Sequence, residues 1–256
     1  KLFLMKNNME LDLDNINLEL EDKGIFVSES FVSESDLEIL NEEFDAFMSS
    51  EQKGARFTPY SEGVCVRVTA GEFDKAKFSQ TEDFFYSSFM KKVSENFLNA
   101  EPSLNEEIFV VKDIVGSSHI AQDLHYDVTP TLKFFLYLND TTIENGAFIC
   151  VPGSHKRTAE YRKDKGAEIS FEKRYNTREL DVQDFPMEVP IEGKKGTLII
   201  FHTDVWHKAG IVSKGDRRVM RGHTRAKRKL ENITLTNKVN YQKPSIFRRV
   251  LNKLKK

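Results

Sequence analysis

Three residues of this chain have the types and spacing of a metal site. His125 and Asp127 stand two residues apart before an apolar run. On a β-strand, residues i and i+2 point to the same face, so this imidazole and carboxylate can hold one ion together. A third ligand must come from another strand, and His207 follows the apolar run 196–201. Two histidines and one carboxylate form the facial triad of non-haem Fe(II) oxygenases, which leaves coordination positions open.

The His-x-Asp motif alone is weakly specific, because the chain has a second copy, His202-Thr-Asp204. For any one such pair, a polar pair without a metal is the ordinary interpretation. The context favours the first copy as the pair of metal ligands, because the second copy stands at a strand end directly beside His207, the candidate third ligand. Two arginines, Arg217 and Arg218, then open the next apolar run. A buried guanidinium there could bind a carboxylate through two hydrogen bonds, and a surface salt bridge is the alternative.

Short apolar runs with turn residues between them provide the strands that would position these side chains. The runs are Val64–Val68, Ile108–Val111, Phe134–Leu138, Ala147–Val151, Leu198–Phe201 and Arg217–Thr224. Several short strands at such spacing predict a β-sandwich or barrel. The Asn145-Gly146 dipeptide between two of the runs predicts a hairpin turn.

The first hundred residues have a different pattern. Residues 16–32 are predicted to form the first strand. Ser33 and Asp36 have the spacing of a capping box, and apolar residues at helical spacing then predict a helix over 34–49. A second amphipathic helix is predicted over 81–98. Both apolar stripes are interpreted as core.

The ordered set of motifs resembles the phytanoyl-CoA dioxygenase family over about residues 107–224. The similar segments are Gln122–Asp127, Leu132–Asp140, Glu144–Phe148, Val151–His155, Gly196–Phe201, Trp206-His207 and Arg217–Val219. The resemblance implies a mainly β protein with flanking helices around a double-stranded β-helix, or jelly-roll, core. It also implies that Fe(II), 2-oxoglutarate and O₂ are required.

The resemblance assigns roles to individual residues. His125, Asp127 and His207 become the catalytic metal ligands, and Arg217 becomes the anchor for the distal carboxylate of 2-oxoglutarate, with Arg218 as the alternative. Lys133 and Phe135 share one strand face and are predicted to line the cosubstrate pocket. The alternative for Lys133 is a solvent-facing strand end, and the alternative for Phe135 is core packing. One departure is Ala209, where family members often carry a serine that helps to hold 2-oxoglutarate.

The implied reaction is hydroxylation of a C–H bond coupled to decarboxylation of 2-oxoglutarate. Asp127 favours hydroxylation over halogenation, because a halogenase needs the carboxylate position for halide. Two alternatives stay open: a jelly-roll binding module without turnover, and a zinc-type metallohydrolase.

Charge suggests partners rather than fold. Residues 225–256 contain eleven Lys or Arg and one acidic residue, whereas residues 1–224 contain 27 basic and 39 acidic residues. We therefore predict a dioxygenase domain over 1–224, with a variable charged loop at 156–190, and a basic tail over 225–256. The basic residues of the loop suit an anionic small-molecule or carrier-linked substrate.

The tail is predicted to contact an acidic membrane surface as a short amphipathic helix, with a solvated tail as the alternative. Nucleic acid is not expected, because the body is acidic and no aromatic stacking pattern accompanies the charge. Only two cysteines occur, which favours a reducing compartment. The predicted location is therefore the cytoplasm, with peripheral contact of the tail at the membrane.

Overall fold

Eleven β-strands and five α-helices build the part of the chain that the structure describes. The computed structural model describes residues 12–49, 55–60, 62–69, 72, 74–165 and 187–227. The strands are β1 (Ile25–Ser28), β2 (Ala55–Tyr60), β3 (Gly63–Thr69), β4 (Pro102–Ser103), β5 (Glu107–Ile114), β6 (Leu132–Tyr137), β7 (Phe148–Val151), β8 (Val189–Ile191), β9 (Leu198–His202), β10 (Trp206–Lys208) and β11 (Asp216–Ala226). The helices are α1 (Leu13–Asp22), α2 (Glu34–Ser49), α3 (Ser79–Phe85), α4 (Ser88–Leu98) and α5 (His155–Lys165), and a short 3₁₀ helix covers Ile120–Gln122.

The strands form two antiparallel sheets that face each other. The larger sheet has the order β1-β9-β6-β11-β5-β3-β2, with β4 paired to β11, and the smaller has the order β10-β7-β8. Side chains from both sheets meet in one buried cluster, in which Phe135 and Phe201 of the larger sheet pack with Phe148 of the smaller. Two facing antiparallel sheets with flanking helices are the architecture of a jelly roll, so the predicted fold class is confirmed.

The hairpin prediction at Asn145-Gly146 is wrong. The strands on either side, β6 and β7, belong to different sheets, so the segment between them crosses the sandwich. Its turn chemistry was identified correctly: Gly146 has φ +91°, and the Asn145 side chain accepts a hydrogen bond from the Thr142 amide at 2.6 Å. A turn signal fixes local backbone shape but does not determine which strands pair.

Helices α1–α4 pack against the larger sheet, and their apolar side chains form a buried core with it. Helix α2 begins after the predicted cap, where the Asp36 amide donates to Ser33 Oγ at 3.2 Å, and its bounds match the prediction. The predicted helix over 81–98 is two helices, because Ser87 caps α4 by accepting a hydrogen bond from the Met90 amide at 3.3 Å. The predicted first strand is correct only at β1.

Residues 13–22 form helix α1 instead of a strand. Asp12 caps it by accepting a hydrogen bond from the Asp14 amide at 3.0 Å. Ile16 and Leu20 are both buried and stand four residues apart, which places them on one face of a helix. That spacing, rather than the apolar stretch that follows, decides the local structure.

The charged loop predicted over 156–190 begins as helix α5, and residues 166–186 lie outside the described residues.

The compact unit ends at Ala226. Most of the basic tail, with the predicted membrane helix, also lies outside the described residues. Among the described residues, no helix has the length and hydropathy needed to cross a membrane.

Candidate metal centre

His125, Asp127 and His207 converge at one end of the sandwich. One ligand atom from each lies within 4.8 Å of the other two. Asp127 Oδ1 is 3.8 Å from Nε2 of His125 and 3.8 Å from Nε2 of His207. The two imidazole rings are 4.5 Å apart between centres. The structure therefore brings together the three residues that the sequence predicted to share a metal ion.

Backbone carbonyls fix the orientation of both imidazoles. Nδ1 of His125 lies 2.7 Å from the Asp123 carbonyl oxygen, and Nδ1 of His207 lies 2.7 Å from that of Val205. Because a carbonyl oxygen only accepts, each Nδ1 carries the ring proton, and each neutral Nε2 keeps its lone pair. Nε2 of His207 is buried without a hydrogen-bond partner. An orphaned buried acceptor beside a second imidazole and a carboxylate fits a bound metal ion.

Lys133 holds the other oxygen of Asp127. Its Nζ lies 2.7 Å from Asp127 Oδ2, and the lysine side chain is 4% exposed. Burial by itself raises the pKa of Asp127, but the adjacent charge of Lys133 and its hydrogen bond to the carboxylate help to lower the pKa well below its usual value. Burial also lowers the pKa of His207 well below its usual value, and the neighbouring His125 adds to this. The site thus presents one carboxylate and a neutral His207 at neutral pH, the protonation states that metal ligation needs.

Arg162 of α5 clamps the backbone of the metal-ligand segment. Its guanidinium donates to the carbonyl oxygens of Asp127 at 2.6 Å and Val128 at 3.0 Å. The same group pairs with Asp204 at 2.6 Å, and both side chains are buried. The sequence placed Arg162 among the basic residues of a substrate loop, and the structure corrects this because its donors are occupied inside the protein. No sequence signal predicted that a residue 35 positions from Asp127 would hold it.

The triad opens into a cavity of about 520 Å³ that runs between the two sheets. Lys133, Phe135 and Arg217 all line this cavity together with the three candidate ligands. Phe201 and Phe148 pack around His207, with ring centres 5.0 and 5.8 Å from that of the imidazole. The cavity therefore combines a metal-ligand end with apolar walls and buried cations.

Arg217 and Arg218 face opposite sides of the larger sheet. Arg217 points inward and is 3% exposed; its Nε lies 3.0 Å from Asp113 Oδ2, and Nη1 donates to the Gly146 carbonyl. Arg218 points outward to α2, where it pairs with Asp45. The inward position favours Arg217 over Arg218 as an anion anchor. The ion pair with Asp113 was not foreseen from the sequence.

The remaining candidates occupy supporting positions. Ala209, where the family often has serine, lines the cavity, and its amide donates to the Ala121 carbonyl. His202 of the second His-x-Asp copy lies outside the triad, with Nδ1 3.9 Å from Asp204. Trp206 is fully buried, and its indole N–H donates to Thr158 Oγ1 at 2.9 Å, which ties β10 to α5.

Solved structures share this fold at low sequence identity. The epimerase SnoN in complex with Fe³⁺, alpha ketoglutarate and nogalamycin RO superposes with a TM-score of 0.61 at 15% identity, covering 84% of this chain and 83% of that one. EctD from S. alaskensis with bound Fe gives 0.58 at 14% identity, covering 87% and 79%. HygX from Streptomyces hygroscopicus with nickel and 2-oxoglutarate bound gives 0.54 at 15% identity, covering 83% and 86%.

Sequence comparison identifies relatives and a family. A phytanoyl-CoA dioxygenase of Arabidopsis thaliana is 29% identical over 134 residues, 50% of this chain and 46% of that protein. Phytanoyl-CoA dioxygenase 1 of Oryza sativa subsp. japonica is 26% identical over 141 residues, 54% of this chain and 46% of that protein. The matched region thus spans about half the length of these curated relatives. The family model described as Phytanoyl-CoA dioxygenase (PhyH) matches residues 20–219, which include the whole triad, and the chain therefore belongs to the phytanoyl-CoA dioxygenase family.

Proposed function

We propose that this protein is an Fe(II)- and 2-oxoglutarate-dependent oxygenase that hydroxylates a C–H bond of a small or carrier-linked molecule. The observation that carries the proposal is the convergence of His125, Asp127 and His207 at the end of a cavity that also contains Arg217. Family membership supports it, as do the iron and 2-oxoglutarate (alpha ketoglutarate) named for structures of the same fold.

Each ligand has a defined part in holding the metal. His125 and His207 supply Nε2, and Asp127 supplies Oδ1, because Lys133 occupies Oδ2. When bound, Fe(II) supplies the open coordination positions and the redox chemistry that no side chain of this cavity has. A carboxylate in the third position favours hydroxylation, since this position is then closed to halide.

Buried cations prepare the cavity for a dicarboxylate. In this proposal Arg217 binds the distal carboxylate of 2-oxoglutarate, and Phe135 forms part of the pocket wall. Asp113 and Gly146 hold the guanidinium in place before the ligand arrives, so little side-chain order is lost on binding. Lys133 adds positive charge beside Asp127 and keeps this ligand ionised.

Apolar walls keep water from the reacting end. Phe148 and Phe201 pack against His207, which limits the access of solvent to that side of the metal site. A dry site strengthens the electrostatic interactions inside it and suppresses side reactions. The triad, the anchor and the aromatic walls together suit an oxidation that must be confined to one bound substrate.

The test is release of succinate from 2-oxoglutarate by purified protein with Fe(II), ascorbate and O₂. We expect slow succinate formation without added substrate, and its loss in Asp127→Ala. The outward-facing Arg218→Ala is the matched control and should retain it. A jelly-roll binding module would bind 2-oxoglutarate without releasing succinate, and a zinc-type hydrolase would show neither; both results contradict the proposal.

A further inference from the structure

A pair of arginines that the proposed reaction does not use lies on the inner wall of the cavity. Arg67 on β3 is the register partner of Phe109 on β5, and Phe109 is the register partner of Arg221 on β11. Register partners on antiparallel strands point to the same face of a sheet. The guanidinium carbons of Arg67 and Arg221 lie 5.0 and 4.9 Å from the centre of the Phe109 ring. Both cations therefore contact the same aromatic ring.

The other cations of the cavity wall already have carboxylate partners. Lys133 pairs with Asp127, Arg217 with Asp113, and Lys208 with Glu188. Arg67 and Arg221 have no carboxylate within salt-bridge distance in the part of the chain that the structure describes. Nε of Arg221 is also buried without a hydrogen-bond partner. A buried charged donor without an acceptor is costly, so this wall has capacity for an anion.

The arginine pair lies close to the metal residues but apart from Arg217. His223 stacks on Phe109, with ring centres 4.7 Å apart, and is the register partner of Lys133, which contacts Asp127. Arg217 stands four residues before Arg221 on the same strand, so their Cα atoms are roughly 13 Å apart at the usual rise of a strand. Arg67 is exposed, so it lies where the cavity opens to solvent, while Arg221 lies deeper with its Nε buried.

We propose that Arg67 and Arg221 form a second oxyanion subsite, which binds a carboxylate or phosphate group of the substrate while Arg217 binds 2-oxoglutarate. Guanidinium groups bind both oxyanions through paired hydrogen bonds. The inference rests on the proposed function, since it places the anion beside the metal-bound cosubstrate. The substrate is then an anion. Binding of its carboxylate or phosphate group places the carbon to be oxidised between the arginine pair and the three metal ligands.

The test measures anion binding after the cosubstrate site is filled. The protein is loaded with Mn(II), a substitute that does not turn over under anaerobic conditions, and 2-oxoglutarate is titrated calorimetrically. Methyl phosphate and propionate are then titrated separately at low salt, where charge interactions are least screened. The variants are Arg221→Gln and Arg67→Gln. The control is Arg218→Gln, which removes the same charge from the outer face of β11.

We expect saturable binding of at least one probe, weakened about tenfold in each variant because a charge-assisted hydrogen bond contributes a factor of this size, and unchanged in the control. The stronger probe identifies the oxyanion as phosphate or carboxylate. No saturable probe binding by the wild-type protein, or equal binding by the variants and the control, would overturn the subsite. Weaker binding of 2-oxoglutarate in Arg221→Gln would also overturn it, because the pair would then belong to the cosubstrate. Failure of the wild-type protein to bind 2-oxoglutarate at all would instead contradict the proposed function.

Discussion

His125 and His207 exchange two backbone hydrogen bonds, one in each direction. The His125 amide donates to the His207 carbonyl at 3.0 Å, and the His207 amide donates to the His125 carbonyl at 2.7 Å. This bridge joins the two metal-ligand segments through the main chain, independently of any ion. Backbone hydrogen bonds of the sandwich thus hold the two metal-ligand segments side by side.

A preformed bridge predicts that the metal-free protein already holds both histidines. The amides of His125 and His207 should exchange slowly with deuterium in the metal-free protein, because both are bonded inside the fold. Adding Mn(II) should change their protection little. Rapid exchange of these amides before metal addition would show that the ion assembles the site.

Arg217 is expected to set the affinity for 2-oxoglutarate. Removing one charge-assisted hydrogen bond costs about 1.5–3 kcal/mol, so Arg217→Gln should weaken binding about tenfold or more. Arg218→Gln, on the opposite face, should change it little. Calorimetric titration of 2-oxoglutarate into the Mn(II)-loaded protein measures both.

Loss of Arg217 leaves Asp113 buried without its cation, which destabilises a folded domain. The double variant Arg217→Gln with Asp113→Asn removes this complication, since neither residue is then charged. It should fold and still bind 2-oxoglutarate weakly. Normal affinity in the folded double variant would exclude Arg217 as the anchor.

Arg162 is expected to act on the metal through the backbone of Asp127. Substitution of residues that orient metal ligands lowers metal affinity about 10–100-fold, and Arg162→Met should fall in this range, with some loss of stability because buried Asp204 loses its cation. The control is Arg157→Met on the same helix, because the Arg157 side chain pairs with the exposed Glu160 and not with the metal-ligand segment. Mn(II) affinity decides between them, and equal affinities would make Arg162 a purely structural residue.

His223 should make the metal-free protein less stable in mild acid. Burial lowers its pKa well below 6.5 in the folded state, and the charge of Lys133 adds to this. Below pH 6.5 the unfolded chain therefore binds a proton that the folded chain does not. As the pH is lowered, the free energy of unfolding therefore decreases by up to about 1.4 kcal/mol per pH unit. His223→Gln should lose less stability between pH 7 and pH 5 in urea unfolding. Identical pH slopes in the two proteins would contradict this.

The features that the sequence predicted well are those with a local signal. Helix α2 has a cap at Ser33 and a helical stripe of apolar residues, and its bounds were predicted correctly. The ligand pair His125 and Asp127 was predicted from strand periodicity, and the two side chains do converge, although their segment forms no strand and only one isolated bridge, between His125 and His207. In both cases the residues that decide the structure are close together in the chain.

Long-range partners could not be predicted in this way. Arg162 reaches Asp127 and Asp204 from a helix that the sequence presented as a charged loop. Asp113 and Arg217 meet only because β5 and β11 are neighbours in the sheet. The turn at Asn145-Gly146 was predicted correctly, but the strands on either side of it were wrongly predicted to pair as a hairpin, because pairing of strands depends on the whole sandwich.

The most direct measurement of the central claim is metal binding by single ligand variants. Fe(II) or Mn(II) should bind the wild-type protein with one ion per chain, and His125→Ala, Asp127→Ala and His207→Ala should each abolish binding without unfolding the domain. His202→Ala, from the second His-x-Asp copy, is the matched control and should bind as the wild-type protein does. Loss of binding in His202→Ala together with normal binding in His125→Ala would contradict the triad and the function proposed from it.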